Sequence, residues 1–153
     1  MTFSRVTHQG DVFVKTITHT EYDETLEEAA LREATFQRRA YDLISQHFDS
    51  TKVRVPKVIS VYSTTIRMEL IKGTTFHKWL ATTKDQREPK VIQTLYNAVK
   101  LLNDSGIFHN DLDPDNILVD QNGALVIIDF GRALDHIYDT QMPDLELVSD
   151  FLL

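Results

Sequence analysis

Two short stretches concentrate the side chains able to do chemistry. The first is His109-Asn110-Asp111-Leu112-Asp113-Pro114-Asp115-Asn116, and the second is Asp129-Phe130-Gly131. Between them lie two apolar runs, Ile117-Leu118-Val119 and Leu125-Val126-Ile127-Ile128, joined by Asp120-Gln121-Asn122-Gly123. Asn-Gly between apolar runs is a strong hairpin signal. A hairpin returns its second strand to the end at which the first began. Asp111 and Asn116 lead into that end and Asp129 leaves from it, so three oxygen-bearing side chains converge on one spot. Oxygen donors of this kind suit a hard cation such as Mg²⁺, which takes one or two carboxylates together with phosphate oxygens. A further carboxylate beside such a metal can orient or deprotonate a hydroxyl. The plainer reading, an Asp-rich turn at a solvated hairpin end, leaves unexplained why carboxylates and an amide gather beside apolar strands.

The rest of the chain must supply the elements that position these groups. Phe3 to Thr7 is β-biased, His8-Gln9-Gly10-Asp11 reads as a turn, and Val12-Phe13-Val14-Lys15 as a second strand of an antiparallel hairpin. From about Asp23 to Phe48 the period becomes helical, with Leu26, Ala29, Ala30, Phe36, Ala40, Leu43 and Ile44 on one stripe. Glu33 falls inside that stripe. A buried carboxylate is costly without a cation or hydrogen-bond donors, so the helix predicts a positive partner from another element. Val53 to Tyr62 and Thr65 to Ile71 read as two further strands, with Pro56 near the start of the first. Gly73 interrupts the pattern and marks an expected boundary between lobes, 1–71 and 72–153. Thr75 to Ala81 reads as a short helix, and Glu88-Pro89 as the opening of a longer one carrying Val91, Ile92, Leu95, Ala98, Val99 and Leu102. Gly106 is placed to cap it, and a last short helix is expected near Asp144 to Phe151. Strands with one helix, then helices with one hairpin, indicate an α+β chain with two unlike lobes.

Composition narrows the function classes. At 153 residues, 42% hydrophobic and 25% charged, the chain fits one globular domain and excludes a disordered tail, a collagen-like fibre and a coiled-coil rod. No stretch approaches the roughly 18 apolar residues that span a bilayer, and Met1-Thr2-Phe3-Ser4-Arg5 shows no secretory h-region, so a cytoplasmic protein is expected. Cysteine is absent, which excludes a thiolate nucleophile and a disulfide scaffold. Sixteen Lys and Arg face 23 Asp and Glu, a net charge of −7, which argues against broad nucleic-acid binding.

His109-x-Asp111-Leu112-x-Pro114-x-Asn116 followed by Asp129-Phe130-Gly131 resembles the catalytic loop and metal-binding triplet of the protein-kinase-like superfamily, in the right order and at the right spacing. The resemblance implies a reduced bilobal kinase fold, a small antiparallel N-lobe with one helix and a short, mainly helical C-lobe. It also implies ATP and Mg²⁺ as cofactors. By that likeness Asp111 is the catalytic carboxylate, Asn116 and Asp129 hold the metal, and Lys15 binds nucleotide phosphates while pairing with Glu33. Met68-Glu69-Leu70-Ile71 resembles the hinge: the Glu69 carbonyl and the Ile71 N–H would bind adenine, with Met68 behind the base and Leu118 below it. Arg32-Glu33-Ala34 and Val55-Pro56-Lys57-Val58 resemble the kinase of the KEOPS complex and, more distantly, the RIO kinases. The implied activity is phosphoryl transfer by a small atypical serine/threonine kinase, with a protein substrate or regulatory partner.

Three departures from the pattern bear on function. Only 14 residues precede Lys15, too few for two strands of about five residues plus a Gly-rich loop, so the phosphate-covering loop is expected to be missing. Phe13 stands where the family usually has a small residue above adenine, and would stack on the base or fill its pocket. Asp113 stands where protein serine/threonine kinases usually have lysine, and His109-Asn110-Asp111 also occurs in choline and aminoglycoside kinases. A small-molecule kinase and a kinase-shaped regulator are therefore the alternatives. An unpaired edge of the N-lobe sheet is a further expected site of partner pairing or self-association.

Overall fold

A computed structural model describes residues 3–83, 89–138 and 142–151. The N-terminal half forms an antiparallel sheet in the order β1-β2-β5-β4. Its strands are β1 (Ser4–Gln9), β2 (Val12–Ile17), β4 (Val58–Tyr62) and β5 (Thr65–Glu69). A second sheet has the order β3-β8-β7-β6, built from β3 (Val53–Arg54), β6 (Gly73–Thr75), β7 (Ile117–Asp120) and β8 (Leu125–Ile127). The expected single strand over 53–62 is thus two strands in different sheets. Pro56 lies between them, where a missing N–H stops a ladder. β3 runs parallel to β8, Val53 opposite Leu125, and joins the N-terminal half to the second sheet. Gly73 opens β6, opposite Asp120 of β7.

Helix α1 (Leu26–His47) begins at a capping box, in which the Thr25 hydroxyl accepts from the Glu28 N–H and the Glu28 carboxylate accepts from the Thr25 N–H. Ala29, Ala30 and Ala34 let the helix lie close to the first sheet, against Ile17, Val58, Ile66 and Met68. Farther along, Ala40 and Ile44 pack into the larger core, with Leu95, Leu102, Ile117, Leu125 and Phe130. One helix therefore belongs to both cores. The expected stripe is shifted: Phe36 and Leu43 sit at the margin, while Glu33 and Gln37 are inside. Gln37 donates to the Pro56 carbonyl at 2.9 Å and lies against the Met68 sulfur.

Helices α2 (Phe76–Thr82), α3 (Pro89–Asp104) and α4 (Asp144–Asp150) complete the second half. Pro89 is the first residue of α3, and Glu88 lies outside the described residues. Ile92, Leu95, Ala98, Val99 and Leu102 are all buried, as the helical period requires. Gly106 takes φ +80° and the Ile107 N–H reaches back to the Leu102 carbonyl at 2.8 Å, closing α3 in the usual left-handed manner.

Gly73 is constrained by space. A Cβ there would run into the backbone of Val119 and Asp120 on β7. Gly73→Ala is expected to lower stability by about 1–3 kcal/mol by forcing β6 away from β7. Urea unfolding would show a lower midpoint at unchanged slope. An unchanged midpoint would mean that the strands do not approach this closely.

Candidate active site

Lys15 points from β2 into the gap between the sheets. Its Nζ lies 2.7 Å from Glu33 Oε2 and 3.0 Å from Asp129 Oδ1. Lys15 is 7% exposed and Glu33 1%, so the cation predicted from the helical stripe is supplied, and it is Lys15. Burial works against the ammonium, but Glu33 and Asp129 outweigh it and hold the lysine pKa above its ordinary value. Burial also pushes Glu33 above the usual carboxylate range, against the pull of Lys15. The two shifts oppose each other over one contact. The geometry is that of an ion pair, with the ammonium in direct contact with both carboxylates. For Asp129, burial is again outweighed by Lys15, and its pKa is lowered.

The β7–β8 hairpin brings the polar loop to this point. Pro114–Asn116 forms a single 3-10 turn, capped by Asp113 Oδ1 accepting from the Asp115 N–H at 2.8 Å. The Ile128 N–H bonds the Asn116 carbonyl at 3.0 Å, which sets Asn116 beside the strand that leads to Asp129. Asp129 takes φ +60°, and its Oδ1 also accepts from the Gly131 N–H at 3.2 Å. Phe130 is fully buried with its ring edge-on to His109. His109 Nδ1 accepts from the Asp111 N–H at 3.2 Å, so Nε2 carries the proton and donates to the Ile128 carbonyl at 2.7 Å. Asp111 is steadied by Asn116 Nδ2, which reaches its carbonyl at 2.8 Å and Oδ2 at 3.2 Å. Burial raises the Asp111 pKa, with Arg132 and His109 opposing and Asp129 and Asp113 adding.

Two cavities meet at Lys15 and Asp129. The first is a slot of about 170 Å³, lined mainly by apolar side chains. Met68, Glu69, Ile71 and Leu118 all line it, as do Phe13, Val6 and Ile128. Phe13 is thus part of the slot wall. The second is a chamber of about 410 Å³ into which Lys15, Glu33, Asp111, Asp129, Arg32 and Arg132 face. Every residue given a catalytic, nucleotide or metal role from the sequence lines one of these spaces except Asn116, which is bonded to Asp111.

The donor set fits a small hard cation. Lys15 and Gly131 engage Oδ1 of Asp129 and leave Oδ2 for another partner. The Asn116 amide donates through nitrogen, which leaves its oxygen for the same purpose. No group of three His, Cys, Asp or Glu among the described residues could enclose a metal. A cation here would complete its shell with phosphate oxygens and water, the habit of Mg²⁺.

Sequence reasoning missed four residues around the site. Asp144, at the start of α4, accepts from the backbone N–H of His109 at 2.8 Å and of Asn110 at 3.0 Å, and from Asn103 Nδ2 at 3.1 Å. In sequence it looks like any acidic residue in a first helical turn. Arg132 puts Nε 2.7 Å from Glu21 and Nη1 3.7 Å from Asp111. Asn110 and Arg54 likewise act through partners far away in sequence. Asp144→Ala would leave two buried N–H groups unpaired, and is expected to cost about 2–4 kcal/mol in unfolding free energy. Thermal and urea unfolding would show it; a variant as stable as the parent would mean that these N–H groups find other partners.

Comparison with known proteins gives the family. The sequence matches the ABC1 atypical kinase-like domain over residues 1–149. CBL-interacting serine/threonine-protein kinase 9 of Arabidopsis thaliana is 27% identical over 113 residues, 67% of this chain and 25% of its own length. Putative serine/threonine-protein kinase 040L of Invertebrate iridescent virus 3 is 42% identical over 69 residues, 44% of this chain and 19% of its own length. The chain spans a quarter or less of the length of these relatives. With a match over nearly the whole sequence, the chain belongs to the ABC1 atypical kinase-like domain family, within the protein-kinase-like superfamily.

Proposed function

We propose that this chain is an ATP- and Mg²⁺-dependent phosphotransferase that acts on a serine or threonine hydroxyl of a protein. The observation that carries the reading is a buried lysine, fixed between Glu33 and Asp129, at the junction of an apolar slot and a polar chamber. Adenine would enter the slot between Phe13 and Leu118, in front of Met68. The Glu69 carbonyl and the Ile71 N–H are the backbone groups proposed to read its edge. Lys15 would meet the phosphates where slot and chamber join. Asp111 would orient the acceptor hydroxyl and take its proton as the oxygen bonds to the terminal phosphorus and the bond to the bridging oxygen breaks, with ADP leaving. Asn116 and Asp129 would hold Mg²⁺, which neutralises phosphate charge when bound. Positioning and electrostatics supply most of the rate in such transfers.

On this reading residues 1–71 and 72–153 are the two lobes of a reduced kinase domain, with a protein substrate or regulatory partner outside it. No described helix is long and apolar enough to cross a membrane, and the proposed setting is the cytoplasm. The likeness to the KEOPS-complex and RIO kinases supports an atypical protein kinase. One observation favours a small-molecule acceptor instead: Asp113, in the lysine position, is occupied in capping the 3-10 turn. Labelling of a choline- or sugar-like hydroxyl, with none of any protein, would select that reading.

With purified protein, radiolabelled ATP and Mg²⁺, Asp129→Ala is expected to abolish transfer, and chelation of divalent cations to do the same. Asp111→Asn is expected to lower kcat by about 10²–10⁴-fold while calorimetry shows nearly unchanged nucleotide affinity. Wild-type activity in Asp129→Ala would refute the assignment, and absence of nucleotide binding at millimolar concentration would favour a kinase-shaped regulator.

A further inference from the structure

Asn110 is buried beside the proposed base. It sits at φ +66°, a left-handed conformation that asparagine tolerates better than most residues. Its amide points away from Asp111, toward the segment that follows Asp129. Nδ2 donates to the Arg132 carbonyl at 3.3 Å and to the His136 carbonyl at 3.1 Å, and Oδ1 accepts from the Tyr138 N–H at 3.1 Å. Three of the four bonds an amide can make are thus spent on one stretch of backbone.

The same stretch is held from the other side. The Tyr22 hydroxyl donates to the Arg132 carbonyl at 2.9 Å, and Arg32 Nη1 to the Ala133 carbonyl at 3.0 Å. Tyr22 also meets the Tyr138 ring edge-on at 5.4 Å. Burial and the neighbouring Glu21 push the Tyr22 pKa up to about 12, so its hydroxyl keeps the proton it donates. Arg132 is the point where these ties reach the chemistry: its carbonyl is gripped by Asn110 and Tyr22, and its guanidinium lies 3.7 Å from Asp111.

We propose that Asn110 is a positioning residue for phosphoryl transfer, its amide fastening residues 132–138 so that Arg132 stays beside Asp111. The catalytic part of the inference rests on the kinase reading; the fastening does not.

The test uses Asn110→Gly, which accepts the left-handed backbone but removes the amide. Amide hydrogen exchange across 132–138, and at Tyr138 in particular, is expected to lose protection. The kcat is expected to fall about 10²-fold with KM for ATP within twofold, as for a misplaced catalytic group. Retained protection in Asn110→Gly would overturn the fastening, and lost protection with unchanged kcat would overturn the positioning role. Should Asn110→Gly not fold, Tyr22→Phe removes one tie to the same carbonyl and is judged by the same exchange and rate measurements. Were wild-type protein to transfer no phosphate, the kinase reading would fail while the exchange experiment still decided the fastening.

Discussion

A lysine buried between two carboxylates constrains everything else in this chain. An ammonium with 7% exposure survives only where partners replace the water it has lost. Those partners are Glu33, 18 positions away on α1, and Asp129, 114 positions away beyond β8. The first contact needs the first sheet and the helix in place, and the second needs the first sheet and the hairpin of the second. Removing either carboxylate leaves a buried charge short of a partner, a class of change that typically costs several kcal/mol. The interaction that prepares the site is therefore also one that fixes the relative placement of its three supporting elements.

The packing around α1 shows how that placement is reached. Small residues at positions 29, 30 and 34 bring Glu33 close to β2, and Ala40 and Ile44 seat the far end of the helix in the second core. Arg54 joins the end of β5 to the hairpin, with Nη1 2.7 Å from Glu69 and Nε 3.0 Å from Asp120. These part-buried contacts have a geometric effect: they tie the strand that forms one wall of the slot to the end of β7, which carries Leu118 on the other.

The parts legible in the sequence were those with local signals. The Asn122-Gly123 turn, the α3 stripe and the cap at Gly106 each follow from neighbours within a few residues, and each is found in place. Glu33 was legible because it violated its own helix's pattern, and a violation of that kind demands a partner. The division of residues 53–62 between two sheets was not legible, since apolar alternation states that a strand forms but not which strand it joins. Asp144, Asn110 and Arg54 were illegible for a related reason. Each is a common polar residue whose purpose appears only when a distant backbone or side chain is brought to it.

Charge balance gives the proposed dication a physical reason independent of the donor set. Lys15 and Arg132 face Glu21, Glu33, Asp111 and Asp129, while Arg32 is occupied by Glu24 at 2.8 Å. The chamber is therefore negative before any ligand enters. A bare triphosphate would be repelled from the end of the slot where Asp129 stands, and repulsion is strong where water is scarce. A triphosphate carrying a divalent cation would instead bring the charge that Asp129 and Asn116 are placed to meet. In the proposed reading the apolar slot alone would show no preference for what is attached to the base, and the excess of carboxylates next door would supply one by favouring the metal-bound nucleotide over the free one.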